Sequence, residues 1–277
     1  MPCLRLSLWS RLAGISTKAQ TRGKGEISQV VARLDRVRYA QANRSETGPG
    51  QVRIVSYNIR KAVGLDWRRD PERIVAVLAE IDADVILLQE ADKRVRRREG
   101  VLPRDILCGE MGYALAEVAI RPHSHGWHGN VILVRRSFPI AETRRIDLPS
   151  AEPRGAVSAT LADPRIEVIG VHLGLNAAMR RRQLAVLQAY LAQADHPVVI
   201  GGDFNEWRRG SDHVENLGTV IEPGPSFHSR VPVAHLDRFI LSGALRHEGS
   251  FVHRSDLAAR ASDHLPVVID VAPEKPE

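Results

Sequence analysis

The segment Val198-Val199-Ile200-Gly201-Gly202-Asp203-Phe204-Asn205-Glu206-Trp207 constrains this chain more than any other, because an apolar run stops abruptly in two glycines and a cluster of oxygen-bearing side chains. The run is too short for a helix and rich in β-branched residues, which reads as a buried strand. Gly201 and Gly202 allow a tight turn and the close approach of another group. Asp203 and Asn205 are thereby presented at the strand's carboxyl end, the edge where open α/β sheets place their ligands. Turn chemistry alone also produces such strings, so the segment needs company before it means a site.

The same pattern recurs. Val52-Arg53-Ile54-Val55-Ser56-Tyr57-Asn58 reads as a strand ending in an amide, and Val85-Ile86-Leu87-Leu88-Gln89-Glu90 as one ending in a carboxylate. Between them Asp70-Pro71-Glu72 supplies an N-cap, a first-turn proline and a first-turn acid, and Ile74, Val77, Leu78 and Ile81 share one helical face. Strand, helix, strand implies a crossover packed on a sheet. Asn130-Val131-Ile132-Leu133-Val134 follows His128-Gly129, and Glu152-Pro153-Arg154 leads into a strand over 157–161. The next strand, Ile166 to His172, ends in an imidazole. A helix over 179–194 turns Leu184, Leu187 and Leu191 inward and carries Arg180, Arg181 and Arg182 in its first turn; Pro197 ends the connection. Leu236-Asp237-Arg238-Phe239-Ile240-Leu241 and a closing strand over 267–271 complete the set, with Ser262-Asp263-His264-Leu265-Pro266 between them. Glycine and proline crowd 218–232, as in a surface loop.

A chain of 277 residues that is 43% hydrophobic can bury one large core. One domain over 51–272 is expected, with a basic leader over 1–50 and a frayed tail over 273–277. The leader mixes Leu4, Leu6, Leu8, Trp9 and Leu12 with Arg5 and Arg11, yet has no apolar run long enough for a signal-peptide core or a membrane span. It reads first as a poorly ordered tail and second as a short amphipathic helix in weak contact with an anionic membrane. The expected location is the cytoplasm, extending to the inner face of a membrane. Two cysteines, Cys3 and Cys108, make neither a disulfide framework nor a zinc cluster. The net charge of +6 suits a phosphate-bearing partner, although a solvated arginine-rich surface explains it equally well. No obligate protein partner is indicated.

Asn58, Glu90, His172 and Asp203 each stand directly after an apolar strand, and four such coincidences suggest one shared rim. A hard divalent cation takes a few carboxylate and amide oxygens and keeps several waters, which Glu90 with Asn58 and Asp263 would satisfy for Mg²⁺. Zinc is disfavoured because no His or Cys pair has ligand spacing. His264 could move a proton if a carboxylate such as Asp237 fixed its orientation.

Together these residues resemble the endonuclease/exonuclease/phosphatase superfamily over nearly the whole chain after the leader. The motifs stand in that family's order: SYNIR at Asn58, LLQEAD at Glu90, HGNVIL at Asn130, EPRG at Arg154, VHLGL at His172, GGDFN at Asp203 and Asn205, LDRFIL at Asp237, and SDHLP at Asp263 and His264. The resemblance implies an α+β or α/β four-layer sandwich, two packed mixed β-sheets flanked by helices, with the site at one end. It implies Glu90 as the main Mg²⁺ ligand, with Mn²⁺ as a substitute, and Asn58 and Asp263 in support. Asp203 and Asn205 would position the attacking water, and His264, held by Asp237, would act as base or as a phosphate-stabilising acid. His172, Asn130 and Arg154 would contact substrate phosphate.

The substrate is less sharply marked. Val171-His172-Leu173-Gly174-Leu175 stands where abasic-site endonucleases usually carry a Tyr-x-Pro-Asn string, which lowers the repair reading. No long apolar insertion suggests a lipid-surface enzyme, and aromatic content is 5%. Arg96 to Arg98 and Arg180 to Arg182 would suit a polyanionic backbone. The leading expectation is a Mg²⁺-dependent, nuclease-type phosphodiesterase on DNA or RNA; the alternative is a phosphodiesterase or phosphatase on a phospholipid or small phosphoester. A non-catalytic phosphate-binding relative is disfavoured, because decay would have struck at least one of these motifs.

Overall fold

The computed structural model describes residues 50–93, 98–150, 154–208 and 212–274. The expectations for the leader, for Arg94, Arg96 and Arg97, for Glu152 and Pro153 and for the last three residues lie outside the described residues. In chain order the elements are β1 (Val52–Asn58), α1 (Pro71–Ile81), β2 (Val85–Gln89), β3 (Tyr113–Leu115), β4 (Val131–Arg135), β5 (Ile140–Asp147), β6 (Gly155–Leu161) and β7 (Glu167–His172). They continue with α2 (Ala177–Leu191), β8 (Val198–Asp203), α3 (Asp212–Glu215), β9 (Thr219–Ile221), β10 (Asp237–Ser242), β11 (Leu245–Val252), α4 (Ala258–Ala261) and β12 (Val267–Pro273).

The strands form two six-stranded sheets, ordered β11-β12-β1-β2-β4-β3 and β5-β6-β7-β8-β10-β9. β1 and β2 pair in parallel, as do β7 and β8, while the other ladders are antiparallel. The eight apolar runs of the sequence are the eight central strands, and the four strands without such a run are the four sheet edges. β2, β6, β7 and β8 are buried along their whole length, whereas β5 exposes most of its residues and is rich in charge. Charged side chains on an edge discourage further strand pairing.

The two sheets meet across a core built from Ile54, Leu87 and Ile132 on one side and Val157, Val199 and Phe239 on the other. Gly201 sits at this contact: a Cβ there would come within 2.8 Å of Leu87 Cδ1 and 2.7 Å of Phe239 Cδ1. Close approach, rather than a turn, is what the glycine serves, because β8 runs straight through Gly201 and Gly202 to Asp203 and the chain bends only at Asn205, φ 50°. Outside the second sheet, Leu184 and Leu187 of α2 and Val214 of α3 pack on Ile169, Ile200 and Ile240. The β1-α1-β2 crossover places the buried face of α1, Ile74, Val77, Leu78 and Ile81, on the first sheet.

Local chemistry fixes the helix starts. Asp70 caps α1 by accepting from Arg73 N at 3.0 Å, with Pro71 at the first position. α2 starts two residues before the expected Met179 and stops three short of Ala194, because Asn176 Oδ1 takes the amides of Ala178 at 2.9 Å and Met179 at 3.2 Å. β12 runs past Val271 to Pro273, held by pairing with Leu245. Among the described residues no helix is long and apolar enough to cross a membrane.

Candidate active site

Parallel pairing sends β1, β2, β7 and β8 in directions that bring their carboxyl ends to one end of the sandwich, and antiparallel pairing brings the amino ends of β4, β6, β10 and β12 there too. Every central strand therefore delivers one expected residue: Asn58, Glu90, Asn130, Arg154, His172, Asp203, Asp237 and the Asp263-His264 pair. His172 and Asp203 are direct neighbours in the ladder, as are Asp203 and Asp237.

Asp203 is the hub. Its Oδ2 lies 3.0 Å from Asn58 Nδ2, 3.4 Å from His172 Nε2 and 3.7 Å from His264 Nε2. Its Oδ1 accepts the amide of Asn205 at 2.9 Å, while Asn205 Nδ2 donates to Leu173 O at 3.0 Å. These contacts join the first sheet to the second through polar groups that are all buried. Behind His264 stands Asp237, fully buried, whose Oδ2 is 2.7 Å from His264 Nδ1 and accepts Ser226 Oγ at 2.5 Å.

The two histidines are driven apart. Burial pulls His172 down to about 4, with Arg154 adding to the effect and the Asp203 charge opposing it. Burial also opposes the charged form of His264, but the carboxylates of Asp237, Asp203 and Asp263 outweigh it and push His264 up to about 10. The neutral form is thus favoured at His172 and the charged form at His264, with both Nε2 atoms turned toward Asp203 Oδ2. Titratable neighbours with opposed shifts mark acid and base roles in a site.

Asn130 and Arg154 are brought to the same end but are engaged with backbone. Asn130 Nδ2 donates to Gly155 O at 2.7 Å, tying β4 to β6, and Arg154 Nη1 donates to Leu173 O at 2.9 Å. Arg180 departs further from expectation. It is buried, donating to Gly174 O at 3.2 Å and Leu175 O at 2.7 Å and pairing with Glu206 Oε2 at 3.1 Å, so it holds the loops after β7 and β8 together. Arg181 and Arg182 remain exposed.

Two residues escaped the sequence reading. Lys61 forms an ion pair with Glu90, and Arg60 Nε lies 3.4 Å from Asp263 Oδ2. Both sit in a turn with Ala62 where three consecutive residues have φ of 46°, 57° and 58°. Glu90, His128 and Asn205, with φ of 53°, 53° and 50°, add to the left-handed backbone at this end. Such conformations cost of order 1–3 kcal/mol each in non-glycine residues and collect where function over-determines the backbone. The signal in the sequence was Arg60-Lys61, one residue beyond the strand-ending Asn58.

The donor set fits a hard divalent ion that keeps most of its water. Among the described residues no three His, Cys, Asp or Glu side chains form a cage on their own, but one or two carboxylates and an amide suffice for Mg²⁺. Glu90 and Asp263 each already attract a side-chain cation, so this rim is built to face positive charge. Among the described residues Asn58 Oδ1 accepts the amide of Arg60 alone, at 3.1 Å, and keeps a lone pair.

Two mixed sheets packed face to face carry a buried centre of carboxylate, amide and histidine side chains at one end. The chain belongs to the Endonuclease/Exonuclease/phosphatase family, whose model matches residues 55–264. It is 28% identical over 225 residues to the uncharacterized protein YbhP of Escherichia coli K12, covering 72% of this chain and 88% of that one. The fold is similar to an endonuclease/exonuclease/phosphatase from Beutenbergia cavernae, at 20% identity and TM-score 0.60 over 81% of this chain and 72% of that one. It is also similar to D. rerio TDP2 complexed with a single-strand DNA product, at 19% identity and TM-score 0.60 over 80% and 98%.

Proposed function

We propose that this chain is a divalent-metal-dependent phosphodiesterase that cuts a P–O bond by in-line attack of water. The observation that carries the reading is the convergence of Asn58, His172 and His264 on Asp203 Oδ2 within 3.7 Å, from the ends of β1, β7 and β8 and the loop before β12. Asp203, steadied by Asn58 and by the Asn205 amide, is placed to accept a hydrogen bond from the attacking water. His264, kept charged by Asp237, takes the phosphate-stabilising role rather than that of base, because donors aimed at developing charge act most strongly in a water-poor site. His172, neutral and buried, donates to a second phosphate oxygen. Glu90, Asn58 and Asp263 would hold Mg²⁺ or Mn²⁺, which when bound polarises a phosphoryl oxygen.

The carrier of the phosphodiester is a separate question. A strand of DNA or RNA draws support from the net charge of +6 and from the family likeness to TDP2, but loses Arg180, which is committed to Glu206 inside the fold. A phospholipid head group gains from the exposed apolar side chains on the loops around the site. The reaction itself is tested with purified protein and a soluble aryl phosphodiester in Mg²⁺, Mn²⁺ or EDTA. Metal-dependent turnover that vanishes in Asp203→Asn is expected; a folded protein inert toward every phosphodiester with either ion refutes the reading.

A further inference from the structure

Seven large apolar side chains stand strongly exposed among the described residues, and six of them lie on loops at the site-bearing end: Trp67, Ile120, Leu175, Trp207, Val231 and Val233. Their exposures run from 59% to 78%, and the seventh, Phe251, is on edge strand β11. Among the described residues, loops at the opposite end carry none. Single exposed apolar residues are ordinary on any protein; their confinement to one end of the sandwich is not. Four of the five loops also place an exposed arginine beside the apolar tip, in Trp67-Arg68-Arg69, Ile120-Arg121, Trp207-Arg208 and Arg230-Val231. Arg60 stacks over the Trp67 ring at 4.5 Å, which braces that tip.

We propose that this end of the molecule docks on the surface of an anionic phospholipid bilayer and presents a head-group phosphodiester to Asp203. Apolar tips enter the boundary between head groups and acyl chains while neighbouring arginines meet lipid phosphates. The aliphatic majority separates this partner from a nucleic acid: Ile120, Leu175, Val231 and Val233 have no ring face to stack on a base, which is how apolar side chains hold single strands. Apolar surface also continues inward from the rim. The Trp207 ring lies 6.0 Å from Phe227, and Phe227 lies 4.9 Å from His264, so a wall of rings leads from the tips to the centre. Val231 and Val233 cap the same loop, which is closed at its base by backbone bonds between Phe227 and Ala234 and between Val233 N and Phe227 O at 2.8 Å. The delivery of a lipid to the centre rests on the phosphodiesterase reading; the docking does not.

The test uses the full chain with vesicles of phosphatidylcholine alone and of phosphatidylcholine mixed with phosphatidylglycerol, in EDTA, scored by co-sedimentation and by tryptophan fluorescence. The wild type should bind the anionic vesicles, with a blue shift. The triple variant Leu175→Ser, Val231→Ser, Val233→Ser should bind them at least tenfold more weakly while hydrolysing the soluble aryl phosphodiester within twofold of wild type. Because both proteins keep the basic leader, the difference reads the rim alone. Equal binding by variant and wild type, or no vesicle binding at all, overturns the proposal. So does binding confined to a single-stranded oligonucleotide that the same substitutions weaken, which would assign the rim to nucleic acid. If the vesicle difference holds but the soluble diester is inert, docking stands and the reaction reading fails.

Discussion

Asp237→Asn isolates the residue behind His264 without changing volume. Asp237 is fully buried and its Oδ2 is 2.7 Å from His264 Nδ1, so the asparagine keeps the shape and loses the charge. In the wild type His264 is held up at about 10 against burial, with the Asp237 charge the largest raising influence. Without it burial regains the upper hand, and His264 should titrate well below 10. A tenfold change in proton affinity is about 1.4 kcal/mol, so recovering even half of the distance to the ordinary value removes about 2 kcal/mol of pH-linked stability. The sign follows from the raised value: the stabilisation is complete below the ordinary pKa of about 6.5 and is lost as pH climbs toward 10. The variant's stability should therefore vary less with pH than the wild type's across that window. Its kcat should fall about 10²–10³-fold, the usual worth of one donor aimed at developing charge. Imidazole NMR titration of both proteins, with denaturant unfolding at pH 6 and pH 9, measures each quantity. A wild-type His264 that titrates near 6.5, or one that Asp237→Asn leaves unmoved, refutes the reasoning.

Glu90→Ala should abolish hydrolysis and weaken Mg²⁺ binding at least tenfold by calorimetry while leaving the unfolding midpoint nearly unchanged, since the carboxylate is on the rim and not in the core; unchanged metal affinity would mean the ligand is misassigned. Lys61→Met should tighten Mg²⁺ binding severalfold, because the ammonium and the ion compete for Glu90; equal or weaker affinity would remove Lys61 from that role. Arg180→Ala should destabilise the fold by about 3–5 kcal/mol, as expected when one partner of a buried ion pair is removed, and a variant of wild-type stability with a flattened salt response would return Arg180 to the substrate surface.

The sequence made the interior of this molecule readable and left its boundary obscure, for one physical reason. A strand buried on both faces must be apolar throughout, so β1, β2, β4, β6, β7, β8, β10 and β12 announce themselves as short hydrophobic runs. β3, β5, β9 and β11 are sheet edges; β5 reads Ile-Ala-Glu-Thr-Arg-Arg-Ile-Asp and resembles loop in composition. The site inherits the clarity of the central strands because its residues stand immediately beyond them, where a run of β-branched side chains breaks into Asn58, Glu90, His172 or Asp203. Arg180 shows the limit of composition: three consecutive arginines near a helix's start look alike in sequence, yet helical geometry buries one against Glu206 and exposes the next two. The apolar rim was hidden for the opposite reason. Trp67, Ile120, Leu175, Trp207, Val231 and Val233 are scattered over about 170 positions of a chain with 5% aromatic content, and no insertion gathers them. Only the alternation of strand directions brings their five loops to one end, the same alternation that converges the carboxylates and histidines. A topology that builds a catalytic centre from eight strand ends necessarily surrounds it with the loops those ends enter. On the proposed function, what those loops carry, and not the centre, therefore sets which phosphodiester can reach Asp203.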